Sequence, residues 1–289
     1  MVHRKKYEMI VEIIADSFID SVKLLPFLFI TYLMMEYLEH KAGDKMQAAI
    51  RSAGKGGPVI GGILGIFPQC GFSAAASNLY AGKIITMGTL MAVYLSTSDE
   101  MLPIMISENV GLKMIVKVLA VKVIVAVIAG FLIDCICRKK EKDIQIGHLC
   151  EQHHCHCENG IWKSALHHTA EIFIYILLLS LVLNLLIAWV GEDMLGSLIL
   201  NRPVVGAMLA GVVGLIPNCA ASVIITQLYL GGVLSAGAMI AGLLSGTGVG
   251  LLVLFRVNDN RKENLRLIGL LYVVGVIAGI VVEILGVTF

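Results

Sequence analysis

Hydrophobic and polar positions along this chain alternate on the scale of whole helices. Predominantly apolar runs such as Leu24 to Met35, Val123 to Ile133, Ile172 to Val190 and Leu267 to Ile284 approach or reach the roughly 20 residues a helix needs to cross a bilayer. Six full spans are predicted, at about residues 14–37, 84–107 and 113–134, and again at about 166–190, 233–255 and 265–287. Between the first and second span of each half the pattern changes. Gly57 to Phe67 and Phe72 to Tyr80 are each about half the length of a crossing helix and are divided at Pro68-Gln69-Cys70-Gly71. The second half repeats the division at Pro217-Asn218-Cys219-Ala220, between Pro203 and Tyr229. A proline removes an N–H donor and clashes with the preceding turn, so each pair of short segments is predicted to be one broken element.

The two halves are copies. A shift of 149 residues lays Pro68 on Pro217, Cys70 on Cys219, Ser73 on Ser222, Leu79-Tyr80 on Leu228-Tyr229, Gly88 on Gly237, Leu95-Ser96 on Leu244-Ser245 and Val127-Ile128-Ala129-Gly130 on Val276-Ile277-Ala278-Gly279. Of the 67 positions from Pro68 to Asp134, 18 are identical, more than shared apolar composition gives by chance. A duplicated apolar chain predicts a membrane transporter built from two repeats. If each broken element is a re-entrant hairpin, each repeat crosses three times, and an odd number of crossings turns the second repeat upside down. Starting outside, this arrangement puts Lys41, Lys45, Arg51, Lys55, Lys83, Arg138-Lys139-Lys140, Arg256, Arg261, Lys262 and Arg266 inside and Glu192-Asp193 outside, as the positive-inside rule requires. A kinked crossing helix is the alternative; it misplaces basic loops. The hairpin arrangement leaves Arg4-Lys5-Lys6 outside, a conflict that an interfacial helix over residues 5–13 would relax.

Composition narrows the class. With 57% hydrophobic and 15% charged residues over 289 positions and a mean hydropathy of +0.86, polar groups are too few to cover a soluble domain. The expectation is an all-α integral protein of the cell (inner or plasma) membrane, multi-pass, with two inverted repeats, each of three full transmembrane helices plus one broken or re-entrant hairpin, about ten helical segments in all. Its parts are 1–137, a cytoplasmic linker 138–165, and 166–289. The net charge of +1 gives no reason to expect a nucleic-acid partner; the lipid bilayer is the expected surrounding, with a homodimer as the candidate assembly. A transporter and not an enzyme is expected, with a membrane enzyme working through the Cys/His loop as a rival; no nucleotide-binding loop is present in the sequence, so any energy input must come from an ion gradient, proton or sodium, or from a partner subunit.

A backbone break at membrane depth is tolerated only where protein covers it or it lines a cavity. Hairpins entering from opposite faces would bring Pro68, Gln69, Cys70 and Pro217, Asn218, Cys219 together near the midplane. Half-helices start at about Phe72 and Ala221, with positive ends that attract anions or electron-rich ligands, and Ser73 and Ser222 stand within reach. Tight small-residue packing is the plainer reading of such stretches. Thiols at 70 and 219 suit a soft metal or metalloid, and equally suit apolar filling. A second constellation is Ser96-Thr97-Ser98-Asp99-Glu100, followed by Pro103, matched in the second half by Ser245-Gly246-Thr247-Gly248-Val249-Gly250. The hydroxyls of Ser96, Thr97, Ser245 and Thr247 are candidate substrate ligands. Asp99 and Glu100 are candidate ion-coupling groups, since a carboxylate at the bilayer centre costs at least about 2.5 kcal/mol; a wet vestibule around them is the alternative. Asp16, Glu171, Asp134 and Glu283 are further candidates near span ends, where acids also simply snorkel or pair with basic side chains. The linker carries Cys150, His153, His154, Cys155, His156 and Cys157 beside Cys135, Cys137 and His148, a candidate thiophilic-metal site whose spacing fits no closed zinc finger.

The run Gly65-Ile66-Phe67-Pro68-Gln69-Cys70-Gly71-Phe72-Ser73, then Ala81-Gly82-Lys83 and Leu95-Ser96-Thr97-Ser98-Asp99-Glu100-Met101-Leu102-Pro103, resembles the ten-transmembrane heavy-metal exporter family. Its members carry labels such as arsenic efflux protein or manganese transporter and are distantly similar to the arsenical permeases. Counting each hairpin as two segments turns six full spans into the ten of the family. The resemblance implies export of a metal or metalloid species (manganese, a thiophilic metal or an arsenical) by a secondary-type transporter. One cysteine per break departs from the cysteine-rich motif of permease relatives and leaves a three-thiolate arsenite site unsupported. A transporter or channel for an organic or inorganic anion, and a metal sensor working through the Cys/His loop, are the alternatives.

Overall fold

The computed structural model of the chain describes helical residues scattered between 14 and 33, then residues 56–67, 71–137, 161–190, 203–287 and 289. All regular structure among them is helical. The helices are α1 (Gly57–Leu64), α2 (Gly71–Ala81), α3 (Met87–Ser96), α4 (Met101–Ser107), α5 (Leu112–Cys137), α6 (Ile161–Val190), α7 (Pro203–Gly214), α8 (Cys219–Leu230), α9 (Ala236–Ser245), α10 (Gly250–Val257) and α11 (Arg261–Ile284). A 149-residue shift carries α3 onto α9 end for end, and α1, α2, α4 and α5 onto α7, α8, α10 and α11 with ends that differ by a few residues. The duplication is therefore one of secondary structure as well as of sequence.

Local chemistry sets the ends. Thr86 Oγ1 accepts from the Thr89 N–H at 3.1 Å, and Ser235 Oγ from the Ala238 N–H at 3.2 Å, so both copies of the same helix start on a side-chain cap. Pro58 sits in the first turn of α1, where its missing N–H has no partner to lose. The predicted breaks lie between α1 and α2 and between α7 and α8. The spans predicted as continuous over 84–107 and 233–255 are each divided in two, at 97–100 and at 246–249. Gly and hydroxyl side chains there compete with the helical ladder, which ends at Ser96 and Ser245, directly after the apolar Leu95 and Leu244. Helix α6 begins at Ile161, five residues before the predicted 166.

Helices α3 and α9 are buried along their whole lengths. Each is flanked by its own half: α3 by α1 and α5, α9 by α7 and α11. The approach is close because glycines face each other. A methyl group on Gly130 would lie 2.7 Å from the Gly88 carbonyl oxygen, and one on Gly279 would collide with that of Gly237, the small-residue crossing that membrane helices use in place of a hydrophobic drive. Around this core, α5 turns Leu112, Val116, Ile124, Ile128, Leu132 and Ile136 outward, one every fourth residue or its multiple, a row that winds slowly round the helix along its length. A row of exposed branched apolar residues of this length suits lipid and not water. The stretches Leu112–Ile136, Ala236–Val257 and Arg261–Ile284 are long and apolar enough to cross a membrane.

Contacts between the halves are reciprocal: α2 packs on α10 and α8 on α4, α3 packs on α11 and α9 on α5, and α3 touches its own copy α9. A contact set that maps onto itself when the partners are exchanged is what a two-fold relation produces.

Gly279→Ala should lower stability by about 1–3 kcal/mol through overpacking. Gly269→Ala, on the same helix with open space around it, should be neutral or stabilising by up to about 0.8 kcal/mol. Thermal unfolding of the detergent-purified variants measures both.

Candidate functional site

The start of α10 is covered by the first half. The second turn of α2 sits on it: Ser77 Oγ donates to the Gly250 carbonyl at 2.8 Å, Tyr94 Oη donates to the same oxygen at 3.1 Å, and the two hydroxyls lie 2.7 Å apart. A methyl on Gly250 would be 2.8 Å from Ser73 Cβ, so the missing side chain is what lets α10 start against α2. At the second break, Asn218 is extended (φ −147°, ψ 148°) and its Oδ1 accepts from the Ala220 N–H at 3.3 Å, capping α8. Cys219 is buried in one cluster with Ala74 of α2 and Val249 of the 246–249 break. The second prolyl break thus lies against the half-helix that the first one starts. Across the first break the rings of Phe67 and Phe72 stack with centroids 5.4 Å apart, drawing α1 and α2 together.

The belt at the end of α3 is polar and dry: Ser96, Thr97, Ser98 and Asp99 are all buried. Ser96 Oγ donates to Ala92 O at 2.8 Å, Thr97 Oγ1 to Val93 O at 2.7 Å and Ser98 Oγ to Ser96 O at 3.1 Å. Beside them is Lys122, fully buried in the middle of α5. Its Nζ donates to the Thr97 carbonyl, and the Asp99 carboxylate is its electrostatic partner. The 149-residue shift replaces Asp99 by Gly248 and Lys122 by Leu271, so acid and base occur together in one half and are absent together from the other. Gly248 takes a left-handed φ of +53°, a conformation that the aspartate's side chain would strain.

Other predicted residues have definite places. Ser73 is buried, and Ser222, half-buried, donates to Cys219 O at 2.8 Å. Pro217 is half-buried at the break. Glu100, half-buried, precedes α4 and does not cap it with its side chain. Asp134 accepts from the Gly88 N–H at 2.8 Å and from Thr86 Oγ1 at 2.8 Å, and Glu283 accepts from the Gly237 N–H at 2.9 Å. Both acids hold the first turn of a core helix, where a negative charge meets the positive dipole end. Glu171 of α6 pairs with Arg256 of α10. Pro68, Gln69, Cys70, Asp16 and the linker residues Cys150, His153, His154, Cys155, His156 and Cys157 lie outside the described residues. Among the described residues no group of three or more His, Cys, Asp or Glu gathers into a metal site.

Lys122 escaped the sequence reading. A lysine ten residues into a 26-residue apolar helix is by itself a signal of function or pairing. Lys113 and Lys117, on the same helix nearer its start, hide it as one more interfacial base.

Residues 5–200 match the family described as "Putative, 10TM heavy-metal exporter". The chain belongs to this family. The match runs over the first half, the linker and α6, and it agrees with the lipid-facing α5: this is a multi-pass membrane protein of a heavy-metal exporter family. No curated protein and no solved structure matches the chain.

In this exporter-family chain, Lys122→Met or Asp99→Asn alone should each cost about 3–5 kcal/mol by leaving one buried charge. The pair Asp99→Gly with Lys122→Leu, which installs the second half's residues, should recover most of that loss. Unfolding of the single and double variants measures the coupling; an additive double variant would dissolve the pair.

Proposed function

We propose that the protein is a secondary-type exporter that moves a metal or metalloid species out of the cytosol by alternating access. Its two repeats have inverted topology, and substrate binds near the midplane, where the breaks at 68–70, 97–100, 217–218 and 246–249 converge. The observation that carries this reading is the reciprocal cover of the breaks, α2 on α10 and α8 on α4. A carrier needs a site held between two bodies that can rock against each other, and the discontinuous helices lie at that seam. Three crossings and one re-entrant hairpin per repeat satisfy the charges of the loops.

The donor set points to the substrate class. The groups around the breaks are hydroxyls, an amide, the Cys219 thiol and the N-terminal N–H groups of α2 and α8, with two carboxylates, the buried Asp99 balanced by Lys122 and the half-buried Glu100. A hard divalent ion such as manganese asks for several carboxylates. A neutral hydroxylated metalloid, or a thiophilic ion, asks for hydrogen-bond partners and a soft ligand. Cys70 and Cys219 are the proposed soft ligands, and the hydroxyls of Ser73, Ser96, Thr97 and Ser222 the polar ones. A second reading, transport of an anion, is favoured by the buried Lys122 ammonium and the two half-helix N-termini. The Cys/His linker is proposed as an accessory metal site that tunes export.

Cells that express the protein should accumulate less trivalent arsenical, cadmium or zinc than cells that do not. Cys70→Ser with Cys219→Ser should abolish the difference, and deletion of 145–158 should only shift it. Metal content by mass spectrometry reads all three. Equal accumulation for every species with and without the protein would end the export reading, and transport untouched by the double serine variant would favour the anion.

A further inference from the structure

In the first half the last carbonyl of the α3 break is met by a charge tethered to the protein, the Lys122 ammonium on Thr97 O. The second half ends α9 in the same way: Gly246 leaves the helix with φ −76° and ψ 120°, where Thr97 has φ −51° and ψ 126°. Gly242 O accepts from the Gly246 N–H at 3.0 Å; the carbonyls after it in the last turn of α9 are beyond reach of the helix's own N–H groups and carry the negative end of its dipole. Among the described residues Leu271 occupies the place that Lys122 takes in the first half, so no lysine is tethered there.

Two hydroxyls stand there instead. Ser245 Oγ and Thr247 Oγ1 are fully buried and have no hydrogen-bond partner among the described residues, whereas their first-half counterparts, Ser96 and Ser98, both donate to backbone carbonyls. Ser245 Oγ points at α11 beside Gly275, where α5 carries Ala126. It therefore looks into the face between α9 and α11, the counterpart of the face between α3 and α5 where the Lys122 ammonium lies. Native structures rarely leave buried hydroxyls unpaired without a reason.

We infer that the 245–247 break binds a free monovalent hard cation, sodium, through Ser245 Oγ, Thr247 Oγ1 and the last-turn carbonyls of α9, in the place that the Lys122 ammonium takes in the first half. Oxygen donors with no thiol among them select a hard ion. The second break carries Gly248 and Val249 in place of the acids Asp99 and Glu100, so only hydroxyl and carbonyl dipoles oppose the charge, which suits one positive charge and not two. Neither a hydroxyl nor a carbonyl takes up an additional proton at neutral pH, so the ion is a metal cation. As the coupling ion of transport this site rests on the proposed exporter function; the binding itself does not.

The test uses the full chain in lipid nanodiscs, with radioactive sodium binding and thermal unfolding in sodium chloride against choline chloride at equal ionic strength. One sodium per chain and an upward shift of the unfolding temperature in sodium are expected. Ser245→Ala and Thr247→Val should each weaken binding by at least about tenfold, the worth of one ligand to a charged group. Leu271→Lys should abolish the sodium response in a folded protein by supplying the tethered cation, while Leu271→Met keeps it. An unfolding temperature indifferent to sodium, the result expected if water alone fills the break, would overturn the inference. A response undiminished in both hydroxyl variants would do the same. Neither result bears on metal accumulation in cells, so the exporter reading fails or stands separately.

Discussion

A helix that stops inside hydrocarbon leaves its backbone groups without water, and each such group costs several kcal/mol unless protein supplies a partner. Among the described residues this chain interrupts its helices at 97–100, 215–218 and 246–249, and much of the architecture serves to cover these places. The start of α10 is covered by Ser77 and Tyr94 of the first half; the start of α8 is capped by Asn218 and buried against Ala74. The break at 97–100 is met from within its own half by Lys122, and the start of α10 by the other half. The reciprocal packing of α2 on α10 and α8 on α4 places these interruptions at the seam between the two copies.

Outside that seam the halves are ordinary membrane helix packing. Glycine pairs at 88 and 130 and at 237 and 279 let α3 and α9 sit closely against α5 and α11, and acids at 134 and 283 hold the first turns of the core helices. These features are preserved in both copies because both must build the same scaffold. The charges of the core break the symmetry at the polar belt, where Asp99 and Lys122 in one half become Gly248 and Leu271 in the other. An acid and a base that share one buried environment stabilise each other, and either alone would not be tolerated. They are gained or lost as a unit, which gives the two breaks different electrostatics within one shared backbone plan.

Much of this was legible in the sequence because it rests on local chemistry. Pro68 and Pro217 mark breaks wherever they stand in a helix, and the 149-residue shift carries the helix ends from one half to the other. The division of the second span was visible only as a cluster of hydroxyls and glycines, since Ser and Thr also sit quietly inside membrane helices by bonding back to the preceding turn, as Ser96 and Thr97 do. Pairings between distant residues left no local mark. Nothing near Lys122 in the sequence points to Thr97 or Asp99, and nothing near Asp134 points to the N–H of Gly88, so these acids read as interfacial groups when they are helix caps. The site residues at 68–70 and in the Cys/His linker lie outside the described residues, and their part in the site rests on sequence chemistry.

The interlock of the halves can be measured directly. In a background cleared of native cysteines, Ser73→Cys with Gly250→Cys pairs the first turn of α2 with the first residue of α10; their β-carbons would lie 2.8 Å apart if nothing moved, closer than the about 3.5–4.5 Å of a disulfide, so the bond forms once α10 shifts outward by about 1 Å. Mild oxidation of the protein in native membranes should link the two within one chain, while Ser73→Cys with Gly269→Cys should not. Failure of the first pair to link, with both thiols shown to be intact and the protein folded, would contradict the account.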